Sequence, residues 1–150
     1  MPVITVNDVL KRAEEFEQML ADYYAGLSRR TTREGVRLLT QYMSRHRVRI
    51  SQALGRFPHD SARRIRTTPL KYAPQAADCR CFEKVVLPPN PGAAQVLDAA
   101  VAFDECLIRL YRHVLRQPVT EEVKMLFESL VRSEERDEIE LKKIKAMDYF

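Results

Sequence analysis

Apolar residues recur three and four positions apart over four long stretches of the chain. This spacing places them on one face of an α-helix, so it predicts four amphipathic helices. Their predicted extents are about residues 7–28, 32–57, 92–117 and 120–146. Thr5 or Asn7 can cap the first helix. Thr31 and Glu34 have the spacing of a capping box at the start of the second helix. The pattern therefore predicts an all-α protein.

Residues 58–91, between the second and third predicted helices, differ from the rest of the chain. They contain six of the eight prolines and little helical periodicity, whereas the other two connections are short. A short strand or a short helix at residues 82–87 fits the pattern equally well. Two helical hairpins joined by one long crossover form an up-down-down-up bundle rather than an all-antiparallel one.

The inward faces of the four predicted helices form an internal repeat. In the first and third helices, successive inward residues are 4, 3, 4 and 3 positions apart and are of nearly the same types. They are Ala13, Glu17, Leu20, Tyr24 and Leu27 in the first helix, and Ala100, Asp104, Leu107, Tyr111 and Val114 in the third. In the second and fourth helices, successive inward residues are 4, 3 and 4 positions apart. They are Leu39, Met43, His46 and Ile50 in the second helix, and Leu130, Glu134, Asp137 and Leu141 in the fourth. A repeat on this scale predicts a four-helix bundle with pseudo-twofold symmetry.

Five ionisable residues share these inward faces with apolar neighbours. They are Glu17, His46, Asp104, Glu134 and Asp137. An unpaired ionised carboxylate in an apolar core costs several kcal/mol even after relaxation. Four carboxylates and one histidine together therefore need a compensating interaction. A shared cation, shared protons or a buried hydrogen-bond network would each supply it.

The chain resembles the ferritin-like superfamily, and its rubrerythrin type in particular, over about residues 7–57 and 92–147. Such bundles hold two irons between a Glu from each of two helices and a Glu-x-x-His pair from each of the other two. The resemblance implies a single ferritin-like domain over residues 1–150, with the crossover at about residues 58–91. It also implies a homodimer, because ferritin-like bundles commonly pair.

The same resemblance implies a set of metal ligands. They are Glu17, His46, Asp104, Glu134 and Asp137, which would hold iron or another divalent metal such as manganese or zinc. Tyr24 and Tyr111 follow the single acidic residues of the first and third helices by seven positions, as in rubrerythrin-like proteins. Either tyrosine would lie beside the ligands, as a redox residue or as a packing residue with a satisfied hydroxyl.

The sequence departs from the ferritin-like pattern at three ligand positions. Met43 stands where the family has a metal-bridging glutamate, and a thioether is a poor ligand for hard iron. Asp137 stands in place of a histidine, and Asp104 in place of a glutamate. We therefore expect a degenerate dimetal-carboxylate site that binds one metal weakly or none, in a binding or interaction module. The alternative is an active non-haem iron or manganese oxidoreductase that acts on peroxide or dioxygen, so enzymatic activity is left open.

The formal net charge of +4 is unevenly distributed. Residues 29–71 contain twelve Lys and Arg but only two acidic residues. This basic region could bind nucleic acid, meet the acidic fourth helix of a second copy, or form an ordinary solvated face. The last is favoured for Arg45, Arg47 and Arg49, which point in different directions around a helix. Glu135, Glu138 and Glu140 are likewise predicted to lie on a solvated face.

The chain has three cysteines, an odd number that does not suggest a disulfide framework. Cys79 and Cys81 are predicted to be free thiols in a loop, because a metal knuckle needs a second cysteine pair. Cys106 is predicted to pack as a small hydrophobic residue in the third helix. No apolar run approaches the ~20 residues that span a bilayer. Residues 1–8 do not resemble a signal peptide, so we expect a soluble cytoplasmic protein without membrane contact.

Overall fold

The computed structural model describes residues 4–56, 59–73, 77 and 79–147, and the backbone alone at residues 59–62 and 79. Within these residues the helices are α1 (Val6–Arg30), α2 (Glu34–Arg56), α3 (His59–Arg66), α4 (Cys79–Glu83), α5 (Ala93–Leu115) and α6 (Glu121–Met147). The four long helices confirm the predicted all-α fold and lie within a few residues of their predicted ends. No described helix is long and apolar enough to cross a membrane.

The start of α1 is capped as predicted, but the start of α2 is not. Thr5 and Asp8 form a reciprocal capping box, in which the Thr5 backbone N–H donates to Asp8 Oδ2 at 2.7 Å. Thr31 is instead the C-cap of α1, and its Oγ1 accepts a hydrogen bond from the backbone N–H of Arg33 at 3.1 Å. Glu34 pairs with Arg37 at 2.6 Å. The predicted capping box of Thr31 and Glu34 is therefore wrong, because the connection is too short for Thr31 to serve both helices.

Hydrogen bonds between the two helical hairpins establish the chain path. The Asn90 side chain bonds Thr31 Oγ1 at 3.1 Å, and the backbone N–H of Thr32 donates to it at 3.3 Å. The start of α2 therefore lies beside the start of α5, so these two helices run in the same direction. Because α1 precedes α2 and α6 follows α5 through short turns, the order is up-down-down-up. The predicted wiring is confirmed.

The crossover is more ordered than its sequence predicts. Its described residues include the short helices α3 and α4, of which only the end of α4 overlaps the predicted element at residues 82–87. Backbone hydrogen bonds join Val6 to Thr68 at 2.9 Å and Leu70 to Ile4 at 2.7 Å, so the segment after α3 pairs with the start of α1. These long-range contacts explain order in a segment without helical periodicity.

The predicted core faces are accurate for α1 and α5 and partly wrong for α2 and α6. Every predicted inward residue of α1 and α5 is buried. In α2 the buried residues are Val36, Leu39, Thr40, Met43, Arg47, Ser51 and Leu54, whereas His46 and Ile50 are only half-buried. In α6, Glu138 is buried at 8% exposure, so its predicted place on a solvated face is wrong. Both helices are rotated about their axes relative to the prediction.

An aromatic cluster packs the crossover against the bundle. Phe82 of α4 contacts Phe16, Tyr23 and Phe103, with ring centroids 5.4, 5.5 and 4.8 Å apart. Phe103 also meets Tyr23 edge-on at 5.2 Å. Edge-on and tilted ring pairs at these separations add to the stabilisation that comes from buried area. Helix α4 is therefore held on the outside of α1 and α5.

A disulfide bond joins α4 to α5. It links Cys81 and Cys106, whose Cα atoms are 6.6 Å apart. The predictions of a free thiol at Cys81 and of a simple packing role for Cys106 are therefore wrong. The spacing of Cys81 and Cys106 along the sequence does not indicate that the crossover returns to the middle of α5. The side chain of Cys79 lies outside the described residues.

Phe103→Ala should destabilise the protein by about 3–5 kcal/mol, because it removes a fully buried ring from this cluster. Urea unfolding followed by far-UV circular dichroism measures the change. Met125→Ala, at a residue with an exposed side chain on α6, is the control and should change stability by less than about 0.5 kcal/mol. Equal effects of the two substitutions would contradict this account of the cluster.

Candidate functional site

Four carboxylates from three helices converge in the middle of the bundle. Glu17 comes from α1, Asp104 from α5, and Glu134 and Asp137 from α6. Glu17 and Asp104 are fully buried, Glu134 is nearly so, and the Asp137 side chain is 20% exposed. The structure therefore brings together the four carboxylates that the internal repeat places on the inward faces.

The side chain of Arg47 lies among these carboxylates. Its Nη1 donates to Glu17 at 3.1 and 3.2 Å and to Glu134 at 3.4 Å. Its Nη2 donates to Asp137 Oδ2 at 2.7 Å and to Asp104 Oδ1. The guanidinium is 2% exposed, so one cation contacts all four acids away from solvent.

Local packing of α2 against α1 explains why Arg47 points inward. Ser44 Oγ donates to the Ala21 carbonyl at 2.8 Å, and Ser51 Oγ donates to the Glu14 carbonyl at 3.0 Å. These two small side chains flank Arg47 along α2 and let the two helix backbones approach closely. Arg47 lies between them and extends past α1 towards α5 and α6.

His46 lies at the edge of the cluster rather than within it. Its Nε2 is 3.4 Å from Asp137 Oδ1, and its side chain is 33% exposed. The ring stacks on Tyr42, with centroids 6.1 Å apart and planes 3° from parallel. Met43, at the position where the ferritin-like pattern has the glutamate partner of this histidine, is buried in the core. The cluster therefore reaches solvent on the side of His46 and Asp137.

Burial and the neighbouring charges divide the four carboxyl groups into two kinds. Burial raises the pKa of Glu17 to about 8 and also raises the pKa values of Asp104 and Glu134, against the opposing effect of Arg47. The pKa of Asp137 is lowered despite its burial, by hydrogen bonds with His46 and Asp104 and by the charge of Arg47. Burial therefore favours the protonated forms of Glu17, Asp104 and Glu134, whereas the neighbours of Asp137 favour its anionic form.

The two tyrosines pack against aromatic rings beside the cluster. Tyr24 meets Phe103 at 6.4 Å and Tyr111 meets Phe127 at 5.9 Å, both edge-on. Burial raises the pKa of each hydroxyl well above its ordinary value. Among the described residues, Tyr24 Oη and Asp104 Oδ2 are buried without a hydrogen-bond partner. Both tyrosines therefore contribute packing, and no group of the described residues hydrogen-bonds the Tyr24 hydroxyl.

Three of the carboxylates are close enough to hold a metal ion. Ligand oxygens of Asp104, Glu134 and Asp137 lie within 4.8 Å of one another. An all-oxygen set suits hard divalent ions such as iron(II), manganese(II) or magnesium. Arg47 contacts the same three side chains, and a guanidinium has no lone pair with which to bind a metal. The carboxylates fit a metal, whereas the arginine among them does not.

Arg47 is the site residue that sequence analysis missed. It was counted within the basic region of residues 29–71, where Arg45 and Arg49 lie two positions before and after it. A detectable signal was the series Val36, Thr40, Met43, Arg47, Ser51 and Leu54, whose steps of 4, 3, 4, 4 and 3 form one helix face. That face competes with the one through His46, one residue away.

Other members of the basic region are also engaged in contacts. Arg37 pairs with Glu34 at 2.6 Å, and Arg64 pairs with Glu122 at 2.7 Å. Arg66 donates to the Leu54 carbonyl at 2.8 Å. The positive charge that sequence analysis assigned to one surface is therefore distributed between the core, ion pairs and solvent. Nucleic-acid binding by this region stays a prediction.

Comparison with solved structures finds a crystal structure at 2.30 Å resolution of a Thermotoga maritima protein described as a ferritin-like diiron-carboxylate protein. The match has a TM-score of 0.58 and covers 97% of each chain at 16% sequence identity. The chain has the ferritin-like fold. Identity this low shows the fold and no more. No protein-family model matches the chain, and no curated protein matches it at a significant level.

Folding stability should fall as the pH rises from about 5 to 8. Glu17 of the ferritin-like bundle keeps its proton up to a pKa of about 8, whereas the unfolded chain releases it near 4.5. The folded state therefore binds more protons between these values, and each such group lowers stability by up to about 1.4 kcal/mol per pH unit. Urea unfolding at a series of pH values measures the slope.

Glu17→Gln should reduce this slope, because the amide has no charged form to bury. Glu15→Gln, at an exposed position of the same helix, is the matched control and should leave the slope unchanged. An unaltered slope in Glu17→Gln would show that Glu17 does not hold its proton in the folded protein.

Proposed function

We propose that this protein is a ferritin-like interaction module whose dimetal site is degenerate, with the Arg47 guanidinium in place of the metal ions. The position of that guanidinium, in contact with all four carboxylates, is the observation that supports the proposal. On this proposal the protein does not reduce peroxide or dioxygen. Its four-helix bundle serves as a rigid scaffold for binding another macromolecule.

Charge compensation supports the substitution. Two divalent ions would bring at least four positive charges to the carboxylates, whereas Arg47 brings one. The pKa values of Glu17, Asp104 and Glu134 are raised, which is the direction this difference requires, because bound protons would neutralise the remaining acids. A guanidinium can donate up to five hydrogen bonds from one plane, which suits a cation shared between several carboxylates.

The residue at the bridging position also supports the proposal. Met43 is buried in the core, one helical turn before Arg47. A soft thioether there removes the oxygen that would bridge two hard metal ions. Met43, which lacks a ligand oxygen, and Arg47, which adds a positive charge, lie on the same face of α2. Both residues therefore disfavour the binding of two metal ions.

Anaerobic titration of the chelator-treated protein with iron(II) and manganese(II) tests the proposal. We expect less than one equivalent of bound metal and no rise in melting temperature, because a ligand of the folded state must stabilise it. Arg47→Met should lose about 3–5 kcal/mol of stability at pH 8, since it leaves buried acids without their cation. The loss should shrink at pH 5.5 and on addition of manganese(II), as protons or metal replace the guanidinium.

Arg49→Met, at an exposed position two residues along α2, is the matched control and should show neither the loss nor the metal response. Two equivalents of iron bound by the unmodified protein, with peroxide turnover, would overturn the proposal. That result would favour the oxidoreductase alternative, with Asp104, Glu134 and Asp137 as ligands.

We also propose that the interaction partner includes a second copy of this chain. Leu38 and Tyr42 lie one turn apart on α2 and are 54% and 56% exposed, so together they form an apolar strip on the surface of this helix. Antiparallel pairing of two α2 helices about a twofold axis would place Leu38 of one copy against Tyr42 of the other. The same arrangement would bring Glu34 of one copy close to Arg45 of the other, so charge complements the apolar contact.

Size-exclusion chromatography with light scattering tests this pairing. The unmodified protein should elute as a dimer, and Leu38→Glu combined with Tyr42→Glu should shift it to a monomer. Met125→Glu, at an exposed apolar position on α6, should leave the dimer intact. A monomeric unmodified protein, or a dimer that resists the double substitution, would contradict pairing through α2.

A further inference from the structure

The disulfide bond between Cys81 and Cys106 is a covalent link between the crossover and the bundle. The two cysteines are 25 positions apart in the sequence, and both are buried. Helix α4, which carries Cys81, has only five residues. Its other anchor is Phe82, which packs on Phe16, Tyr23 and Phe103. A helix this short has little stability of its own, so its position depends on these two anchors.

The environment of the two sulfur atoms is unequal. The guanidinium of Arg109, one turn further along α5, lies with its Nη2 at 3.1 Å from Cys106 Sγ. A positive group beside a cysteine stabilises its thiolate form. When a disulfide is attacked, the sulfur that better carries negative charge leaves more readily. Arg109 therefore distinguishes Cys106 from Cys81 as the leaving sulfur.

We propose that the Cys81–Cys106 disulfide is a thiol-exchange site, at which low-molecular-weight thiols reversibly release helix α4 from α5. Arg109 is the positioning residue that stabilises the Cys106 thiolate. This inference does not depend on the proposal about metal binding, because it concerns a separate group of residues on the outer side of α5.

The exchange proceeds in two balanced steps. Cys81, at 8% exposure, is less buried than Cys106 at 4%, and a thiolate reaches Cys81 Sγ when α4 opens locally. The attack forms a mixed disulfide with Cys81 and releases Cys106 as a thiolate beside Arg109. A second thiolate attacks the external sulfur of that mixed disulfide and releases the Cys81 thiolate. Two electrons pass from the external thiols to the protein, the external thiols become a disulfide, and their two protons pass to Cys81 and Cys106. An external disulfide reverses both steps.

Opening the disulfide leaves α4 attached to the bundle by noncovalent contacts, among them those of the Phe82 ring. Such contacts hold the helix less firmly than a covalent bond does. The reduced protein should therefore expose the crossover more often than the oxidised protein does. The site couples the thiol–disulfide balance of the surroundings to the accessibility of this segment.

The pairing of the cysteines is tested first. The full chain is equilibrated with oxidised glutathione, its remaining thiols are alkylated, and its peptides are analysed by mass spectrometry. We expect Cys81 linked to Cys106 in the unmodified protein and equally in Cys79→Ser, which removes the third cysteine. A link that involves Cys79, or three alkylated cysteines, would overturn the proposal.

The direction of attack is tested next. Brief treatment of the oxidised protein with reduced glutathione, followed by acid quenching, traps the mixed disulfide. Glutathione should be found on Cys81 and a free thiol at Cys106. Glutathione on Cys106 instead would show that Arg109 does not select the leaving sulfur.

The role of Arg109 is tested by the rate of reduction with dithiothreitol. Arg109→Gln should slow reduction by about threefold or more, and Arg109→Lys should restore most of the rate, because a positive charge favours the leaving thiolate. Added salt should slow the unmodified protein but not Arg109→Gln, because it screens that charge. Circular dichroism of the oxidised variants confirms that each is folded, as the exposure of Arg109 leads us to expect.

Arg112→Gln is the matched control for Arg109. It removes an exposed arginine one turn along α5, which pairs with Glu135 at 3.5 Å and does not contact the disulfide. Its reduction rate and salt response should equal those of the unmodified protein. Equal rates for Arg109→Gln and the unmodified protein, or equal slowing by both glutamine substitutions, would overturn the role assigned to Arg109.

Discussion

Compensation of buried negative charge is the constraint on which this bundle depends. Four carboxylates from α1, α5 and α6 share an interior from which water is largely excluded, and each would be costly as an isolated anion. Arg47 of α2 supplies the compensating charge, so one side chain contacts the other three long helices. The contacts of Arg47 therefore contribute both to the packing of the four helices and to the charge balance of the core.

The pKa shifts of the four acids differ between the enclosed side of the cluster and the side nearer solvent. Glu17 and Asp104 are fully enclosed, where burial favours their protonated forms. Asp137 lies nearer solvent, next to His46, and its pKa is lowered. The acid with the lowered pKa thus lies nearest solvent, and the acids with raised pKa values lie in the enclosed part of the cluster. On the proposal that Arg47 replaces the metal ions, protons and one guanidinium together balance the charge of the four acids.

The crossover adds an outer layer whose stability has a different origin. Helix α4 is too short to be stable alone and is held by the Phe82 contacts and by the Cys81–Cys106 bond. Neither anchor touches the carboxylate cluster, so the state of this layer can change while the charged core stays intact. The bundle core has a fixed geometry, whereas the attachment of the crossover to it depends in part on the Cys81–Cys106 disulfide bond.

The sequence by itself determined the helices, their wiring and the residues that face inward on α1 and α5. Those properties follow from local periodicity, from proline positions and from the length of the crossover, all of which are visible along one chain. The sequence also placed four acids at mid-helix, where a compensating interaction had to exist. It was less informative for α2, because the faces through His46 and through Arg47 differ by one residue and both carry apolar neighbours.

Only the tertiary structure decided which of these two faces turns inward and which cysteines meet. The rotation of α2 depends on the contacts of Ser44 and Ser51 with the backbone of α1, and no local pattern encodes them. Arg47 is long enough to reach any of several neighbours, so its partners are fixed by the positions of three other helices. The pairing of Cys81 with Cys106 likewise depends on the path of a crossover held by long-range contacts. Local periodicity determines which residues form helices, whereas the distances between helices determine which side chains interact.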